Sequence, residues 1–201
     1  MRSNVGLCLA VFWAWGVSGA WAGTLTARQA MNLANQRVTD AAQNNLIWME
    51  GTHSDANLRP RIWEVTFYDP ARLNAGTMVR IQDDQVLKVG GAVRLFDDAR
   101  WTRFGRNFTG YHVNEIINLK RWNLDSDAVV AKAVAHPRLS GYEVVGVRLL
   151  LRKPSDGDVA PNWRVTIRAR PRDRDSGARW LGSLTYNAET GELLRDDLAV
   201  R

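Results

Sequence analysis

Three histidines, three adjacent carboxylate pairs and a row of arginines are the residues whose types could do chemistry. His53, His112 and His136 stand far apart, and no His-Glu-x-x-His occurs. The single cysteine, Cys8, sits near the start of the chain. Zinc-type ligand spacing is therefore absent, and no metal or other cofactor is expected. The carboxylate pairs are Asp83-Asp84, Asp97-Asp98 and Asp196-Asp197. Adjacent acids mostly mark turns and solvated ends, whereas a general acid needs a pocket that raises its pKa. No Gly-x-Ser-x-Gly surrounds a serine, Ser140 and Ser183 have no obvious base nearby, and Gly90-Gly91 is a break rather than a phosphate loop. No residue is assigned a catalytic role, and a non-enzymatic protein is expected.

The arginines are more informative. Trp163, Val165, Ile167 and Ala169 alternate with Arg164, Thr166, Arg168 and Arg170. Just upstream, Val145, Val147, Leu149 and Leu151 alternate with a polar parity that holds Arg148 and Arg152. Period-two alternation marks strands with one buried and one wet face. If the two strands pair, Arg148, Arg152, Arg164, Arg168 and Arg170 form one outward ridge. Guanidinium groups grip carboxylate or phosphate with two parallel bonds. The plainer alternative is a solvated face that discourages edge-to-edge association. A second candidate binding surface is the aromatic stretch that holds Trp101, Phe104, Phe108, Tyr111 and Trp122, with Arg103 and Arg106 among them. Trp101 and Tyr111 represent it. Aromatics beside arginine are enriched at binding hot spots, but the same residues also suit gluing two small units together.

The elements that must position these residues can be read from self-similarity. IWEVTFYD (62–69) and NWRVTIRA (162–169) match in register. Upstream, LTARQAMNLA (25–34) matches LDSDAVVAKA (124–133), and downstream RIQDDQVLKV (80–89) resembles TYNAETGELLRD (185–196). Three matches in one order predict two tandem repeats, at 23–90 and 123–201, joined by an aromatic and basic connector at 91–122. Each repeat opens with a helix. Thr26 and Gln29 form a capping box for the first, with apolar positions continuing through Ala42. Asp125 or Ser126 caps the second, and Pro137 stops it. Each helix should pack on one face of a small antiparallel sheet, an α+β class with order α-β-β-β-(β). The last two strands join through a tight turn, Asp83-Asp84 in the first repeat and Asn187 to Gly191 in the second. Within the connector, a short helix near 96–104 and an extended piece near 115–119 are expected.

Location and charge bound the partner. Arg2, the apolar run VGLCLAVFWAWGV (5–17) and Ala20-Trp21-Ala22 read as a signal peptide, residues 1–22, cleaved after Ala22. The run is shorter than the roughly 20 residues that span a bilayer. After cleavage the protein is expected to be periplasmic or secreted, without thiol or membrane anchor. The formal net charge is +6, and nine basic residues face four acidic ones between Arg148 and Arg179. Nucleic acid is not an expected partner in that compartment. An acidic protein surface, anionic lipid or acidic glycan is.

The helix with its alanine spacing and terminal His136-Pro137, the strand NWRVTI and above all SLTYNAETGELL (183–194) resemble the PepSY-type domain. Residues 125–196 carry the resemblance, and the first repeat follows it more loosely through the internal match. The resemblance implies an exported bacterial protein with a fold like that of β-lactamase-inhibitor proteins. It also implies a binding or inhibitory role toward other proteins, often peptidases, and it carries over no functional residue. The alternative is an accessory envelope protein that sits on anionic lipid or glycan through its basic face.

Overall fold

A computed structural model describes residues 24–92, 110–155, 157–173 and 177–200. Their architecture is mixed α+β, dominated by one antiparallel sheet of eight strands. The chain order is helix α1 (Ala27–Asn35), strands β1 (Leu46–Ser54), β2 (Pro60–Tyr68), β3 (Gly76–Gln82) and β4 (Gln85–Gly91). Helix α2 (Ser126–Val134) follows, then β5 (Tyr142–Arg152), β6 (Asn162–Pro171), β7 (Arg179–Asn187) and β8 (Leu193–Asp196). In space the strands run β4-β3-β2-β1-β5-β6-β7-β8. β1 and β5 thus form the seam, with Met49 opposite Leu151 and Gly51 opposite Leu149. Among the described residues no helix is long and apolar enough to cross a membrane.

Alternation decides which face is buried. Trp63, Val65 and Phe67 of β2, Leu149 and Leu151 of β5, and Trp163, Val165 and Ile167 of β6 all point to the helix side. There they join Ala30, Met31 and Ala34 of α1 and Val129, Val130 and Ala133 of α2 in a single core. α1 lies over β2 and β3, and α2 over β5 and β6. The other sheet face carries the polar parity.

The helix starts are locked to each other. Thr26 accepts from the Gln29 N–H while Gln29 returns the bond, the expected capping box. Asp125 caps α2. Ser126 does a different job: its hydroxyl accepts from the Ala27 N–H of α1 at 2.9 Å. Asp125 likewise accepts from the Arg28 N–H at 3.2 Å. The opening turn of one helix therefore satisfies orphan donors of the other. The Arg28 guanidinium donates to the Trp122 carbonyl and lies over the Trp122 ring, 5.1 Å from its centroid.

Some expected boundaries move. α1 ends at Asn35, although apolar spacing continues to Ala42. Residues 36–44 turn back instead, with Asn44 at a φ of 61° and its N–H bonded to the Asn35 side chain at 2.7 Å. Ala42 is still buried, so the apolar signal was real but its period was not helical there. α2 stops before Pro137, which opens a short 3-10 turn (Pro137–Leu139). The expected extended piece at 115–119 is reduced to residues 116–118 between two 3-10 turns, Val113–Glu115 and Leu119–Arg121. The predicted helix near 96–104 lies outside the described residues. So does the predicted signal peptide.

Candidate functional site

The outer face of β5, β6 and β7 is where the structure puts the predicted arginines. Register fixes their neighbours: Arg148 opposes Thr166, Arg152 opposes Asn162, Leu150 opposes Arg164, and Gly146 opposes Arg168. On the far side, Arg164 opposes Thr185, and Arg168 opposes Trp180 across a bulge. All five arginines are exposed, as the alternation predicted.

They do not form a uniform ridge. Arg148 is paired to Glu50 across the β1–β5 seam. Arg170 makes a two-pronged bond to Glu143, at 2.8 and 3.0 Å. That bond holds the Glu143 carboxyl below the usual carboxylate range. Arg152 also has a partner. Arg164 and Arg168 have no bonded or ionic partner among the described residues. The expected row of five free guanidiniums is thus reduced to two that are available. Distant carboxylates account for two of the losses, because Glu50 lies 98 residues from Arg148 and Glu143 27 from Arg170.

Trp180 is a residue that strand alternation did not single out. It stands opposite Arg168 on the register and is 55% exposed. The bulge between Ile167 and Arg168 re-aims this end of the strand pair. Gly182, at a φ of 118°, permits it, since a side chain there would collide with the Asp197 carbonyl. Trp180 sits directly beside the buried Leu181, so two large apolar residues in a row blur the period-two signal, which is why its exposure was not legible.

The aromatic connector divides. Trp101 lies outside the described residues. Tyr111 is 4% exposed, so its ring is packing rather than a docking surface. It sits with Ile47 and Ala92 against Trp48, Tyr68 and Met78. Trp48, Tyr68 and Met78 have the outward parity of β1, β2 and β3, so this small cluster covers one corner of the outer face. Gly76 makes room for it: any Cβ there would run into the Tyr111 ring. The Tyr111 N–H is fixed to the Asn74 carbonyl at 3.0 Å. Trp122 is buried too and meets Trp163 edge to face at 6.1 Å.

His136, Asp83, Asp84 and Asp196 take structural posts, while the Asp97-Asp98 pair lies outside the described residues. His136 lines an open cleft of about 390 Å³ between the Pro137 turn and the start of β5. Its Nε2 lies 3.8 Å from Asp196, too far for a hydrogen bond that would orient an imidazole base. Asp196 instead bonds Arg138 at 2.9 Å, while Arg138 donates to the Leu198 carbonyl at 2.8 Å. This clamp ties the C-terminal segment to the end of α2. Burial raises the Asp196 pKa, but the Leu198 N–H and Arg138 outweigh it and leave the carboxyl below its ordinary value. Asp83 and Asp84 form the β3–β4 turn, both at positive φ, and Asp83 grips Arg61 at 2.8 Å. Among the described residues, no group of three or more His, Cys, Asp or Glu could hold a metal ion.

No family model, curated protein or solved structure matches the chain.

Proposed function

We propose that this protein is an exported binding or inhibitory module of PepSY-like type, built from two tandem repeats, which holds another protein and catalyses nothing. The observation that carries this is the open outer face of β5–β7, where Arg164, Arg168 and Trp180 stand exposed on a rigid, well-buried sheet. Strand pairing and the packed core already fix the backbone that carries these side chains, so binding has to order the side chains alone.

The repeat reading has support in the register. When 100 is added to one number of a β1–β5 pair and subtracted from its partner, 49 with 151 becomes 149 with 51, and 50 with 150 returns to itself. Trp63 and Trp163 obey the same shift. Residues 23–90 and 123–201 would then be two copies of α-β-β-β-β joined edge to edge by β1 and β5, with 91–122 between them.

A protein is favoured over the alternative, an anionic lipid or glycan surface. Lipid adsorption needs a broad single-sign field, whereas Glu50 and Glu143 neutralise two of the arginines on this face. The reading is tested by mixing the purified chain with envelope extract and measuring complexes by size-exclusion chromatography with light scattering. A stoichiometric complex that survives moderate salt supports it. Turnover of a substrate, or adsorption to vesicles alone that vanishes with salt, overturns it.

A further inference from the structure

Two corners of the outer face occupy corresponding places in the sheet and have opposite fates. In the first, Tyr68 of β2 opposes Gly76 of β3. In the second, Arg168 of β6 opposes Trp180 of β7. The first corner is covered by the protein's own chain, because the absent side chain of Gly76 leaves a seat for the Tyr111 ring. The second has a tryptophan where the first has glycine, and it stands 55% exposed. Positions shifted by 100 differ in the same sense: Arg164 stands where the first repeat has Glu64, and Arg168 where it has Tyr68.

Resting on the binding reading above, we propose that this second corner is the docking site itself, and that its occupant is an extended acidic segment of a partner protein. Trp180 is the apolar anchor. Arg164 and Arg168 receive the carboxylates. Charge complementarity selects the occupant: Arg168, opposite the exposed Trp180 ring, and Arg164, further along the same strand, have no partners among the described residues. Arginine and tryptophan are the side chains most enriched where binding energy concentrates. The hydroxyls of Thr166, Ser183 and Thr185 share this face and offer the neutral bonds that a backbone crossing it would use. At the first corner the same kind of sheet surface already accepts polypeptide, with Tyr111 as its anchor.

The test uses a fluorescent peptide of alternating Glu and Val, its Lys–Val counterpart, and vesicles containing anionic phosphatidylglycerol. Wild type should bind the acidic peptide and not the basic one. Trp180→Ala, and separately Arg164→Gln with Arg168→Gln, should each weaken that binding at least tenfold while leaving the melting transition in place. Arg37→Gln, exposed just after α1 on the helix side of the sheet, should change nothing. Equal acidic-peptide binding by wild type and both site variants overturns the proposal, as does anionic-vesicle binding without peptide binding. If the envelope complex forms equally well with these variants, this site falls while the binding reading stands.

Discussion

Trp63 and Trp163 make the same bond in two places. The Trp63 indole N–H donates to the Leu25 carbonyl at 3.1 Å, and the Trp163 indole to the Leu124 carbonyl at 2.8 Å. Leu25 and Leu124 each lie just ahead of a helix cap. Each tryptophan fills the core from its strand and also fixes where the nearest helix begins. Replacing either by Ala should cost about 3–5 kcal/mol, as for large aromatics in cores. Replacing either by Phe keeps most of the apolar contact and should cost far less, with the lost bond worth about 1 kcal/mol. Urea unfolding of the four variants measures this.

The helix-to-helix cap makes a second prediction. Ser126→Ala leaves the Ala27 N–H of α1 buried without its partner, although the mutated residue belongs to α2. The expected loss is about 1 kcal/mol, the usual worth of a cap. Amide hydrogen exchange should rise in the first turn of α1 as well as at residue 126. A change confined to α2 would show that the two helix starts are independent.

Gly76 should tolerate nothing larger. Gly76→Ala must push Tyr111 off its seat or shift β3. The cost should be about 1–3 kcal/mol, typical of overpacking. Adding Tyr111→Ala should recover part of that strain, so the double variant should be less unstable than the sum of the singles. Thermal melts of the three variants test the non-additivity.

Acid should release the C-terminal clamp. The Asp196 carboxyl titrates below its ordinary value in the folded protein. A depressed carboxyl adds stability that is complete above its unfolded pKa, about 4. That stability fades as pH falls through the lower folded value. Asp196→Asn should therefore flatten the dependence of stability on pH below about 4 and lower stability at neutral pH. Arg138 and the His136 ring are the basic groups facing this carboxyl. Denaturant midpoints collected across the acid range supply the comparison.

Much of this fold was legible because local rules agreed. Thr26 with Gln29, Pro137 and the alternation around Trp163 each follow from neighbours a few residues away. The pairing of β1 with β5 was not, since Met49 and Leu151 lie far apart in the chain and no local rule specifies that they meet. For the same reason the arginine row was overread: parity showed that Arg148 and Arg170 point outward, but the glutamates that neutralise them come from register. Tyr111 was misjudged as a surface candidate because an aromatic in a polar connector looks the same whether it caps a sheet or faces water. The glycine that seats it lies 35 positions upstream.

The central claim is that the outer face of β5–β7 is where a partner sits. Photocrosslinking in intact cells tests it most directly, with a benzophenone side chain placed at Ser183 on that face or at Lys132 on the exposed side of α2. The account predicts one discrete adduct from position 183, lost when Arg164 and Arg168 are changed to Gln, and none from position 132. An adduct from position 132 alone, or one from position 183 that persists in the arginine variant, would contradict it.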